Sequence, residues 1–166
     1  ANTKVILKKK IWTVEDKNND NNTWEDLDAG APAYNGANAT VDADDWLVSP
    51  PLHLIAGQTY ALEAGAVVGG YSGTGQRMNI AYGTGDDPTT YNEIVPTTPI
   101  SGTAFGTPTT IKTTFTPTET GDYRIGFHAV SDRPGYIIMR PVKVEEAAET
   151  SGTPIAISDL KLETGQ

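Results

Sequence analysis

Hydrophobic and polar residues alternate along most of this chain in short runs that are separated by turn residues. Alternation with a period of two places successive side chains on opposite faces of a strand, and clusters of Gly, Pro, Asn and Asp are typical of turns. No apolar period of 3.6 residues is sustained over three helical turns, so we expect no substantial helix. The pattern predicts strands over residues 4–9, 11–15, 45–50, 52–54, 59–68, 77–83, 109–117, 121–130 and 135–146.

Many short strands at this spacing predict an all-β sandwich over residues 1–146. Within 59–68, one face carries Tyr60, Leu62, Ala64 and Ala66, and Glu63 lies on the other. After residue 146 the sequence "AAETSGTP" is typical of a linker. Residues 155–162 then alternate imperfectly, and they either pair with the main sheet or, as we favour, open a following module.

Composition narrows the functional classes. The 166 residues suffice for one domain with a sizeable core. The absence of cysteine excludes a disulfide scaffold and any Cys-based metal or nucleophile site. A formal net charge of −9 disfavours nucleic acid and anionic membranes as partners. No apolar run approaches 18 residues, so we expect no insertion into a membrane.

The stretch "DKNNDNNTW", residues 16–24, carries oxygen-bearing side chains at alternate positions, namely Asp16, Asn18, Asp20 and Asn22. Ca²⁺ takes six to eight oxygen ligands, and alternate residues of a turning loop can direct side chains at one centre. The spacing therefore predicts a structural calcium site. Asn21 stands where an EF-hand has Gly, and Leu27 stands where it has the bidentate Glu, so the loop is not an EF-hand.

The other interpretation of this loop is an Asn/Asp-rich β-turn that caps its own backbone. Only two of the four side chains are charged, so a calcium site needs oxygen ligands from other segments. The candidates are Glu25, Asp26, Asp28, Asp42, Asp44 and Asp45.

Three further features bear on binding and catalysis. His53 and His128 lie in predicted strands without a nucleophile elbow or a metal-binding His pair, so we expect packing or surface roles. Trp46 begins an apolar run and is interpreted as a core residue.

The Gly-rich segment 69–77 lacks the Lys and the helix of a phosphate cradle. Tyr71 and Arg77 in that segment are candidate ligand-binding residues for a sugar or a protein.

Three segments resemble the cleaved-adhesin, or choice-of-anchor J, domains of gingipains and related surface proteins of Bacteroidetes. "IWTVEDKNNDNNTW" is similar to the family's opening "W-x-x-x-D-x-[DN]-x-D-x-x-x-W". "DDWLVSPPLHLIAGQTYALE" resembles its most specific signature, and "TFTPTETGDYRIGFHAVSDRPGYIIMRPVKVEE" resembles its closing strands. The resemblance spans roughly residues 11–146.

The resemblance implies a jelly-roll-type antiparallel β-sandwich, secretion or cell-surface display, no catalysis and a structural calcium ion. It places the acidic loop at Asp16, Asn18 and Asp20. "IIMRPVKV" lacks the acids that the family often has in its closing strand, so any ligand from that strand is missing. Relatives continue into fibronectin-type-III-like modules, which implies the same for residues 147–166.

Two functional classes follow. The first is a non-catalytic adhesion or recognition module that binds a glycan or a host protein through loops at one end of the sandwich, with other domains of a longer chain as neighbours. The second is a jelly-roll hydrolase or lyase acting on carbohydrate, with two carboxylates about 5–10 Å apart across an aromatic cleft. A domain that only spaces or stabilises a catalytic neighbour is a third possibility.

Overall fold

A computed structural model describes residues 12–26, 31–69, 76–101 and 107–147. This part of the chain contains eleven strands and one 3₁₀ turn, Pro88–Thr90, and no α-helix. The predicted strand over 4–9 and the predicted linker and strand after Ala147 lie outside the described residues. The strands are β1 (Thr13–Asp16), β2 (Trp24–Asp26), β3 (Pro32–Gly36), β4 (Asp45–Val48), β5 (Leu52–Leu54), β6 (Tyr60–Gly69), β7 (Arg77–Gly83), β8 (Asn92–Pro99), β9 (Thr109–Phe115), β10 (Gly121–Ala129) and β11 (Gly135–Glu146).

The strands form two antiparallel sheets. The six-stranded sheet has the order β1-β4-β10-β7-β8, with β5 pairing to the start of β10. The five-stranded sheet has the order β2-β3-β11-β6-β9. Apart from β2-β3 and β7-β8, neighbours in both orders are not consecutive in sequence, as expected when strands cross repeatedly between two layers. The predicted all-β jelly-roll-type antiparallel β-sandwich is confirmed.

The core lies between the two sheets and is built by the alternation that the sequence displays. Phe127 of β10 lies opposite Leu47 on one side and Ile80 on the other, and all three are buried. The five-stranded sheet faces them with its own alternate residues, including Leu62 and Val144. Removing such side chains from water contributes roughly 25 cal/mol per Å² of apolar surface, which is the main force that holds the sheets together.

The predicted face of β6 is confirmed, because Tyr60, Leu62, Ala64 and Ala66 are buried while Glu63 is exposed. Trp46 is buried as predicted, but it is not part of the main core. It belongs to a small second cluster with Val48 and Ala81 on the outer face of the six-stranded sheet.

Three strands were not predicted, and each has a physical reason. β2 has only three residues, too few for an alternation to be recognised. β3 begins at Pro32 and contains Asn35-Gly36, a pair that is typical of turns. β8 contains Pro96 and Pro99, and it lies at the edge of its sheet, where a missing N–H costs no ladder hydrogen bond.

Candidate metal and ligand sites

Three carboxylates meet at one end of the sandwich. Asp16 ends β1 and Asp45 begins β4, and the antiparallel register places the two residues directly opposite each other. Asp20 comes from the loop that follows β1. One carboxylate oxygen from each of the three lies within 4.8 Å of the others. Strand pairing and one short loop are therefore sufficient to build this carboxylate cluster.

The loop itself is shaped by the first of these side chains. The Asp16 carboxylate accepts hydrogen bonds from the backbone N–H groups of Asp20, at 3.3 Å, and Asn21, at 2.9 Å. Asn19 and Asn21 have φ angles of 56° and 66°. Asn adopts this left-handed conformation more readily than most residues because its short polar side chain can bond locally. Asn21 thus supplies the turn for which an EF-hand uses Gly.

Asp45 is the buried member of the cluster, with no exposed surface. Its Oδ2 accepts a hydrogen bond from the backbone N–H of Asp44 at 2.9 Å, whereas its buried Oδ1 has no partner. Burial raises the pKa of this carboxyl from 3.8 to about 7; the Asp44 N–H and the Thr23 side chain offset part of the rise, and the nearby charges of Asp16 and Asp20 add to it. A buried carboxylate that has one oxygen without a partner and lies beside two other carboxylates is costly, and a bound cation would remove most of that cost.

Among the described residues, the group that could hold a metal contains carboxylates only, with no histidine or cysteine. The Oδ1 of Asn18 is buried without a hydrogen-bond partner, and the buried side chain of Thr23 lies close enough to the Asp45 carboxyl to lower its pKa. The Trp24 indole N–H donates to the Asp45 carbonyl oxygen at 3.0 Å. Burial raises the pKa of the Tyr34 hydroxyl, and the three carboxylates raise it further. Oxygen ligands of this kind suit a hard cation such as Ca²⁺.

The structure places the four predicted calcium ligands differently. Asp16 and Asp20 meet, together with Asp45. The amide nitrogen of Asn18 donates to the Asp42 carbonyl at 2.8 Å, which leaves its Oδ1 without a partner. The Asn22 amide nitrogen donates to the Asp20 carboxylate at 3.1 Å and to its carbonyl at 3.2 Å. Calcium binding by these residues stays a prediction.

Arg77 and Tyr71 were the predicted ligand-binding residues. Arg77 begins β7, and its Nη2 lies 2.6 Å from Asp132 Oδ2. Tyr71 lies outside the described residues. Their joint role in ligand binding therefore also stays a prediction.

The two histidines are far apart in the sheet. His53 pairs with Asp122 at 3.0 Å on the surface. His128 lies 2.7 Å from Asp44 and is mostly buried. The group of described side chains that could hold a metal includes neither histidine.

A shallow groove of about 510 Å³ crosses the outer face of the five-stranded sheet. Cross-strand pairing places Lys112 and Lys143 on either side of Glu63. The lining residues include no aromatic ring and are Ala61, Leu62, Glu63, Lys112, Thr113, Thr114, Lys143 and Glu145. Alternating opposite charges are typical of a solvated sheet surface.

Solved structures with the same fold include cleaved adhesin domains. The K1 domain of Lys-gingipain from Porphyromonas gingivalis W83 superimposes with a TM-score of 0.61 at 17% identity, covering 82% of this chain and 91% of that one. The K3 domain gives 0.56 at 18% identity, covering 80% and 90%. The N-terminal cellulose-binding domain of Cellulomonas fimi β-1,4-glucanase C gives 0.51 at 14%, covering 86% and 92%. The resemblance indicated by the sequence motifs is confirmed for the fold.

No protein-family profile matches this sequence, and no curated protein matches it either. Among the described residues, none forms a helix long and apolar enough to cross a membrane.

Proposed function

We propose that this chain is a non-catalytic adhesion or recognition module, secreted or displayed at a cell surface, that binds a glycan or a host protein. The fold that it shares with adhesin domains and a cellulose-binding domain supports this function. A sandwich holds its loops on a rigid scaffold, so binding residues can vary without loss of the core. Calcium at the carboxylate cluster would fix the shape of the loops at one end.

The unpartnered Oδ1 of buried Asp45 is the observation that carries the calcium part of the proposal. Asp16 and Asp20 lie beside it, and the loop between them is already folded around the Asp16 carboxylate. A cation held there would join β1, β4 and the loop. Because it would be surrounded by protein oxygens, its role would be structural.

The arrangement of carboxylates favours recognition over hydrolysis. A glycoside hydrolase needs two carboxyl groups facing each other across an open cleft. Trp24, whose indole bonds the Asp45 carbonyl, and Tyr34, whose pKa the cluster raises, are 3% and 1% exposed and thus offer a substrate no surface. The groove that holds Glu63 and Glu145 has no ring among its lining residues.

The test is a printed glycan array and a panel of host surface proteins, probed with this chain in 2 mM Ca²⁺ and again in EDTA. A recognition module binds a defined subset of one panel and releases no sugar product during incubation. A chain that binds nothing on either panel would act as a spacer, and one that cleaves a glycan would be an enzyme. Either result contradicts the proposal.

A further inference from the structure

The groove on the outer face of the five-stranded sheet has its floor at Ala61. Leu62 and Val144 face the core, so Ala61 and Glu145 beside them point outward. Cross-strand pairing places Ala61 between Thr114 of β9 and Glu145 of β11. Ala has a shorter side chain than either neighbour, so the surface is depressed there. We name this depression the Ala61 groove, and its outward lining residues are Ala61, Glu63, Lys112, Thr114, Lys143 and Glu145.

Polar side chains surround this floor and offer both hydrogen-bond donors and acceptors. Lys112 and Lys143 each carry an ammonium group, which only donates. Glu63 and Glu145 each carry a carboxylate, which only accepts. Thr114 carries a hydroxyl group, which does both. A ligand that matches this rim must itself donate and accept hydrogen bonds at several closely spaced positions.

The polar groups of the rim are exposed, and they do not satisfy one another. Glu63 lies directly opposite Lys112 on one side and Lys143 on the other, and opposite charges in such positions usually attract and pair. Among the described residues, the side chains of Glu63 and Lys112 nevertheless form no ion pair and no hydrogen bond. The Nζ of Lys143 lies 3.8 Å from Glu145 Oε1, which is a weak contact. These groups are therefore within reach of a ligand and free to bind it.

The charge and the shape of the Ala61 groove indicate which ligands it accepts. Its lining contains two lysines and two glutamates, whose formal charges cancel, so the groove has no surplus charge to attract an ionic ligand. Its volume of about 510 Å³ lies within the range of about 300–1,000 Å³ that is typical of small-molecule sites. Because the groove is shallow, it suits a chain that passes over the sheet better than a compact molecule that must be enclosed.

We propose that the Ala61 groove binds a neutral oligosaccharide. Sugar hydroxyls both donate and accept, so one hydroxyl can donate to Glu63 while its neighbour accepts from Lys112 or Lys143. The C–H groups of the sugar ring then rest on the Ala61 methyl group. The three strands bury their inner faces in the core, so the backbone of the rim is ordered before the ligand arrives, which reduces the entropy cost of binding. This inference rests on the proposed function and adds to it a ligand class and a location.

The test combines a printed array of neutral, sialylated and sulfated glycans with titration calorimetry of the strongest neutral hit. The lining variants are Glu63→Gln, which removes a charge, Thr114→Ala, which removes a hydroxyl, and Ala61→Leu, which fills the floor. Matched controls are Glu93→Gln and Thr110→Ala, at exposed positions outside the groove. We expect each lining variant to raise Kd about five- to twenty-fold and each control to stay within about two-fold. The wild-type Kd should also change less than about two-fold between 50 and 500 mM NaCl, because salt does not screen a neutral ligand.

The outcomes separate the site from the function. Neutral-glycan binding that survives all three lining variants overturns the site and leaves the proposed function intact. Binding only to sialylated or sulfated glycans, or only to a protein, overturns the neutral-sugar assignment and also leaves the proposed function intact. A wild-type chain that binds no glycan and no protein refutes the proposed function and the site with it. If circular dichroism shows that Ala61→Leu does not fold, Glu63→Gln decides, because Glu63 is exposed and Gln preserves its shape.

Discussion

Replacing Asp45 with Asn should stabilise the protein in EDTA and remove most of the stabilisation that calcium would give. Without a cation, the wild-type protein holds a buried carboxyl beside two other carboxylates. Asn keeps an oxygen to accept the Asp44 N–H, and it replaces the unpartnered Oδ1 with an amide that can donate to Asp16 or Asp20. The variant removes the buried charge and preserves the shape of the side chain.

The magnitude follows from the pKa of Asp45, which is raised from 3.8 to about 7. Ionising this carboxyl at pH 8 therefore costs the folded state about 4 kcal/mol relative to the unfolded chain, at about 1.4 kcal/mol per pKa unit. Because Asn repacks imperfectly, we expect Asp45→Asn to stabilise the protein by about 1–3 kcal/mol in EDTA, which is roughly 3–10 °C in Tm. Calcium at 100 times its Kd would stabilise wild type by about 2.7 kcal/mol, and the variant much less.

Thermal unfolding at pH 8 followed by circular dichroism, in EDTA and in 2 mM Ca²⁺, measures both effects. Asp122→Asn is the matched control, because the Asp122 side chain is 71% exposed. It should leave the Tm unchanged both in EDTA and in Ca²⁺. A variant that is less stable than wild type in EDTA would refute the claim that Asp45 is a strained buried charge. Equal Tm values for wild type in EDTA and calcium would remove the metal from the proposal.

Three further outcomes are expected. In EDTA, the free energy of unfolding of wild type should rise as pH falls from 8 to 5, because the folded state takes up a proton on Asp45 that the unfolded chain does not. Urea unfolding at each pH measures this free energy. Added calcium should make it depend less on pH. Phe127→Ala should cost about 3–5 kcal/mol in urea unfolding, since Phe127 is fully buried between the sheets. Gly126→Ala should lower the free energy of unfolding by about 1–3 kcal/mol, because the added Cβ would lie 2.8 Å from the Trp46 ring. Gly57→Ala is the comparison variant for backbone strain alone, because a Cβ at Gly57 would meet no atom within 4 Å while the φ angle is 80°.

Strand alternation predicted much of this fold because most strands bury one face only. The bounds predicted for β5, β7 and β11 agree with the structure, since each run alternates clearly and ends at turn residues. The edge strand β8 was missed because its prolines violate the rules for a central strand. Only the sheet order, which sequence does not display, reveals that it lies at an edge.

The candidate sites were predictable only where they are local in sequence. Asp16 and Asp20 belong to one loop, and their spacing alone pointed to oxygen ligands. Asp45 was one of six acids that could contribute, and only the register of β1 on β4 selects it. The contact between Asp44 and His128 was not predictable from the sequence, because the two residues are 84 positions apart.

The prolines of β8 have a consequence for how copies of this protein behave when crowded. A free sheet edge normally offers N–H and C=O groups to any strand that approaches, which is how β-proteins polymerise. Pro96 and Pro99 have no N–H to offer, and the Ile94 carbonyl already accepts the Thr113 hydroxyl at 3.2 Å. At high protein concentration, neighbouring copies would meet an interrupted edge there, which opposes fibre growth from that side of the molecule.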